Sequence, residues 1–210
     1  MNKLGDLSCN EFLTELASAA PAPGGGGGAA MAGALAAALA SMVANLTIGK
    51  EKFADREPEV KELLEQAEAE RVRLLQLADD DAAVFNSFMS CYKLPKTTDE
   101  EKAARTAAIR AAAKQAATVP LNIARSSFAV LKLADRLVVA GNPGVITDGA
   151  CSGLLARAAL RCAEYNVRIN LGLTKDEAWN AQAAAELKQL LADAEALETR
   201  LLAVTDKALQ

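Results

Sequence analysis

The chain has 210 residues, a formal net charge of -4 from 23 basic and 27 acidic side chains, and is 51% hydrophobic but only 4% aromatic. That length suits one domain with a sizeable core, and the acidic balance argues against nucleic acid as the main partner, which would need a basic surplus on one face. The absence of histidine excludes Ser-His and Cys-His nucleophile pairs, histidine general bases and every His-containing zinc site, so catalysis would rest on carboxylates, lysines, amides and backbone dipoles.

An Ala-rich composition with few β-branched residues predicts an all-α fold, a single-domain bundle of about seven helices over residues 1–210. Ser8-Cys9-Asn10-Glu11 has capping-box spacing and predicts a first helix from about residue 9 to Ser18, ahead of Pro21 and Pro23. Gly24 to Gly28 then read as a turn, followed by a buried, Ala-rich second helix to about Ile48 with Gly49 as its stop. Ala29 to Ile48 carry no charge. A helix buried on all sides is preferred to a membrane span, because Ser41, Asn45 and Thr47 are polar and no second span accompanies it. Ala29, Gly33, Ala37, Ser41 and Asn45 recur every fourth residue, a stripe where another backbone can approach closely. A helix so enclosed suits a position between subunits as well, which predicts a homodimer.

Pro58 begins a third, long helix reaching Tyr92, with Leu63, Ala67, Leu74, Ala78, Phe85 and Phe88 on its apolar face. Lys93-Leu94-Pro95-Lys96 breaks it. Thr98-Asp99-Glu100-Glu101 is a second capping box opening a fourth helix, and Pro120 either kinks that helix or starts a fifth. After the irregular turn Gly141-Asn142-Pro143-Gly144, Thr147 and Asp148 are candidate caps of a sixth helix ending near Gly172, and Thr174-Lys175-Asp176-Glu177 opens a seventh. The N-terminus has no apolar signal stretch, and Cys9, Cys91, Cys151 and Cys162 are widely spaced. Reduced thiols packed as small hydrophobes in a cytoplasmic protein are expected.

Each candidate for chemistry has a bland alternative. The glycine run can cradle an anion on bare N–H groups or serve as a plain hinge. It is not a P-loop, since Ala29-Ala30 stand where Lys-Ser/Thr is required, and no strand precedes it as a dinucleotide fingerprint demands. Asp148 can place a carboxylate in a site or merely cap its helix, and taken alone the cap is favoured. Lys50 complements a helix C-terminus or serves a ligand. Of Asp79, Asp80 and Asp81, one can point inward while the others stay wet. Lys93 and Lys96 form a small basic site or are solvated ends.

Taken together, Pro21-Ala22-Pro23-Gly24-Gly25-Gly26, Met42-Val43-Ala44-Asn45-Leu46-Thr47-Ile48-Gly49-Lys50, Asp81-Ala82, Tyr92-Lys93-Leu94-Pro95-Lys96, Val119-Pro120-Leu121, Gly141-Asn142, Asp148 and Asn166-Val167-Arg168-Ile169-Asn170 resemble, in this order, the formiminotransferase-cyclodeaminase C-terminal family. Two departures stand out: Gly27 where a serine often follows the third glycine, and Gly144 in place of a family asparagine. The resemblance implies an all-helical homodimer acting on one-carbon derivatives of tetrahydrofolate, with no metal or other cofactor, no nucleic acid and no membrane. It favours cyclohydrolysis of 5,10-methenyltetrahydrofolate to 10-formyltetrahydrofolate. It assigns catalysis to Asp148 and Lys50, pterin binding to Asn45, Asp81 and Asn142, the pocket wall to Gly24, Gly25 and Gly26, and the glutamate tail to Lys93 and Lys96. A cyclodeaminase releasing ammonia from the formimino compound, and a non-catalytic helical assembly module, are the alternatives.

Overall fold

Alanine sets the spacing of this fold. The computed structural model describes residues 3–210, and these form six α-helices joined by short turns, with no strand among the described residues. They are α1 (Cys9–Leu16), α2 (Gly24–Asn45), α3 (Glu57–Cys91), α4 (Asp99–Ala140), α5 (Ile146–Thr174) and α6 (Glu177–Ala208). The helices from α2 to α6 run alternately up and down. Ala30, Ala36, Ala37, Ala40 and Ala44 of α2 are fully enclosed, and such small side chains let α3, α4 and α5 approach it closely. At Gly33 a Cβ would lie 3.0 Å from Leu74 of α3 and 3.1 Å from Ser127 of α4, so glycine sets the separation there. Leu63, Leu74, Leu131, Leu160 and Leu201 fill the larger spaces, each a position where truncation to Ala would cost about 2–5 kcal/mol.

Local signals explain several helix ends. At α1 and α4 the Ser8–Glu11 and Thr98–Glu101 capping boxes are both closed, hydroxyl to backbone and carboxylate to backbone. Three expectations are corrected. The glycine run is not a turn: Gly24, with φ +58°, opens α2, and Gly25 to Gly28 are its first turns. Asp148 and Thr147 do not cap α5. They lie inside its first turn, behind Val145, which offers no side-chain cap. The third capping box is displaced as well, because Thr174 is the last residue of α5 and Asp176 caps α6 by accepting from the Trp179 N–H.

Seven expected helices become six because Pro120 interrupts nothing: α4 runs through it. A proline cannot supply the N–H that the carbonyl four residues earlier needs. The orphaned carbonyl is that of Ala116, and the side-chain amide of Asn170 on α5 donates to it at 2.9 Å. A hydrogen bond from a neighbouring helix thus replaces the missing rung.

The expectation that α2 is enclosed on every side is also corrected. Leu35 is 56% exposed, and Met42, Leu46 and Asn45 are exposed too. The helix is long and apolar enough to cross a membrane, and 61% of its most apolar stretch is buried inside the protein. Nor are the cysteines core residues. All four are free, and Cys9, Cys151 and Cys162 are exposed.

Candidate functional site

The helix directions sort the candidate residues into two groups at opposite ends of α2. At its N-terminal end lie Gly24, Gly25, Gly26 and Asp81. The Asp81 carboxylate occupies the space beside Gly26 that a Cβ would need, and it accepts the backbone N–H of Gly27. Glycine is required there by close approach, and the N-terminus of α2 supplies the favourable partial charge. Asp79 and Asp80 turn elsewhere, Asp79 accepting from the Leu4 N–H at 2.6 Å and Asp80 from Gln76 at 2.9 Å. Burial raises the pKa of Asp81 from the ordinary 3.8 to about 6, and the Gly27 hydrogen bond only partly opposes it.

Sequence reasoning gave Asn166 no site role, yet it belongs to this end. Its side-chain amide lies 3.5 Å from where a Cβ of Gly25 would be. Its partner four residues on, Asn170, is the residue that closes the gap at Pro120 and also donates to the Asn166 carbonyl at 2.8 Å. The signal was available: two asparagines at i and i+4 share a helix face, and a mid-helix proline demands a donor from outside. Lys93 and Lys96 are both exposed and lie past the end of α3, at least roughly 15 Å beyond Asp81 along the helix axis at about 1.5 Å per residue. They sit at the tip of an α3–α4 arm in which Phe88 stacks edge-on against Tyr92 at 5.3 Å and Arg105 donates to the Tyr92 carbonyl.

The C-terminal end of α2 carries the other group. Asn142 is tied to it two ways, its N–H donating to Thr47 Oγ1 at 2.8 Å and its amide to the Leu46 carbonyl at 3.1 Å, while its Oδ1 accepts from Gly144 within its own turn. Its amide is therefore engaged in holding the turn. Lys50 is exposed just beyond this tie, Asp148 is half-buried in the first turn of α5, and Asn45 lines an open groove of about 550 Å³ with Glu68 and Arg71.

Asp148 and Asn166 sit on the same helix, roughly 27 Å apart at about 1.5 Å per residue. The glycine-walled end and the Asp148 end are thus separate within one chain. Among the described residues no three His, Cys, Asp or Glu side chains gather as a metal-ligand set.

The formiminotransferase-cyclodeaminase family matches residues 8–189, so the match includes both ends of the candidate site. The chain belongs to that family. It is 46% identical to the methenyltetrahydrofolate cyclohydrolase of Methylorubrum extorquens, over 94% of this chain and 95% of the relative. It is 33% identical to the formimidoyltransferase-cyclodeaminase of Sus scrofa over 87% of this chain but only 34% of that longer relative. The crystal structure of formiminotetrahydrofolate cyclodeaminase from Thermotoga maritima superposes with a TM-score of 0.88 at 31% identity, covering 98% of both chains.

Proposed function

We propose that this family member is a hydrolase, a methenyltetrahydrofolate cyclohydrolase that adds water to 5,10-methenyltetrahydrofolate and gives 10-formyltetrahydrofolate. The observation that carries this reading is the 46% identity to a cyclohydrolase running through nearly the whole of both chains. The substrate's amidinium carbon is already cationic, so the protein need supply only position, complementary charge and proton transfer, and the reading needs no metal or other cofactor. Water attacks that carbon and gives up one proton. The bond to N5 then breaks as N5 takes a proton and the remaining hydroxyl becomes the N10 formyl oxygen, which leaves one proton released overall.

Asp148 is proposed as the base that receives the proton from water, and Lys50 as the group that holds the water or developing oxyanion and helps protonate N5. Asp81 is proposed to accept hydrogen bonds from the amino and ring N–H groups of the pterin, against the bare wall of Gly24, Gly25 and Gly26. Asn45 is a second pterin contact, while Asn142 contributes by fixing the turn that leads to Asp148. Lys93 and Lys96 are placed for the glutamate tail only if the arm that carries them meets the far end of the ligand.

Separate within one chain, the two ends could form one site across a pair of chains. We therefore propose a homodimer, in which the glycine end of one subunit faces Asp148 of the partner subunit. The exposed apolar face of α2, with Leu35 and Met42, and Leu46 just past its end support that pairing. A single domain spanning residues 1–210, acting in the cytoplasm without membrane or nucleic-acid partners, completes the reading. The likeness to the Thermotoga maritima structure favours a second one, cyclodeamination of 5-formiminotetrahydrofolate with release of ammonia. Purified protein incubated separately with the methenyl and formimino folates tests both: loss of the methenyl absorbance with water as co-substrate supports the cyclohydrolase, and ammonia release from the formimino compound supports the deaminase. A protein inert toward both would refute the enzyme reading and leave a helical assembly module.

A further inference from the structure

On the side of the bundle formed by α3, α4 and α6, three guanidinium groups from three separate elements line one open cavity of about 520 Å³. Arg56 comes from the turn before α3, Arg136 from α4 and Arg200 from α6. Two carboxylates share the space. Asp135, only 3% exposed, is gripped by Arg200, whose Nε donates to its Oδ1 at 2.8 Å. Glu59 accepts from Arg136 at 2.8 Å. Arg56 meets no acid inside the cavity and donates instead to the Val139 carbonyl at 3.2 Å. Among the lining side chains three positive charges stand against two negative ones, and the nearest further acid, Asp55, lies outside the cavity at 3.8 Å from the Arg56 Nε. Each guanidinium also carries five N–H donors in a fixed fork, of which Arg56 and Arg136 each commit one and Arg200 two in these hydrogen bonds. Preformed forks of this kind match the paired oxygens of phosphates and carboxylates, and the volume falls in the range of small-molecule sites.

We infer that this cavity binds a small, multiply charged oxyanion through Arg56, Arg136 and Arg200. The inference is independent of the folate reading, because none of its three arginines is among the candidate folate residues. Phosphate and carboxylate ligands share the required chemistry. Pyrophosphate and citrate, titrated separately into the full-length protein by calorimetry, distinguish them. Saturable one-site binding is expected for at least one, with a Kd of about 1 mM or tighter. Arg56→Gln and Arg136→Gln should each weaken that binding roughly tenfold, the loss of one charge-assisted contact. Arg200 is a poor first variant, since its loss strands the buried Asp135 carboxylate. Arg56 is half-exposed and pairs only with a carbonyl and the exposed Asp55, so its variant should fold and melt as the parent does. Absence of binding by both anions, or binding unchanged in both variants, would overturn the inference.

Discussion

Burial pushes the Asp81 carboxyl up to about 6 from the ordinary 3.8, so its ionised form opposes folding. A carboxyl raised in this way contributes stability that is whole below the unfolded value near 3.8 and lost as pH rises through about 6. Asp81→Asn keeps an acceptor for the Gly27 N–H and removes the charge. It should raise the melting temperature at pH 8, by the equivalent of at most about 3 kcal/mol, and leave it nearly unchanged at pH 4, as differential scanning calorimetry would show. The same substitution should weaken folate binding, and in the parent protein KM should climb as pH falls below about 6 while the Asp81→Asn variant loses that dependence. At the other end, Asp148→Asn should cut turnover roughly a hundredfold or more with circular dichroism unchanged, the scale of a lost general base. Turnover close to the parent's would remove Asp148 from the chemistry.

At the scale of the helix, the glycines of α2 are not equivalent. A methyl at Gly28 would make an ordinary 3.8 Å contact with Leu16, whereas one at Gly26 would overlap the Asp81 carboxylate. Gly28→Ala should therefore stabilise by up to about 1 kcal/mol through helix propensity, and Gly26→Ala should destabilise by about 1–3 kcal/mol and abolish activity. Chemical denaturation of the pair decides it. The capping boxes at Ser8 and Thr98 were legible in the sequence because capping is settled within four residues. The glycine run was not: five glycines argue locally against a helix, and what encloses them are Asp81 and Asn166 from elsewhere in the chain, together with the Pro23 cap. Pro120 misled for the same reason, since the donor that repairs it lies fifty residues on. Asn170→Ala should cost about 1–3 kcal/mol in the parent but far less beside Pro120→Ala, where the N–H returns, and a double-mutant cycle measures that coupling.

For the molecule as a whole, the sequence offers candidate residues one by one, but how they group in space is not legible in it. Which end of α2 each reaches depends on helix directions that no local pattern encodes. If the site is shared between subunits, Gly26→Ala and Asp148→Asn proteins should each be inactive alone. Mixed after unfolding and refolding, they should regain roughly a quarter of parent activity, because half of the random pairs then hold one intact site of two. Leu35→Glu, on the exposed face of α2, should shift light scattering to the monomer mass and remove activity while helicity is retained.

The bond from Asn170 to Ala116 also bears on how the chain is made. Until the ribosome has released α5 as far as residue 170, the middle of α4 has no partner for that carbonyl except water. A nascent chain of that length carries a weak joint in its longest rod, and proteases acting on truncated products should cut near residues 116–120 before they touch the remainder.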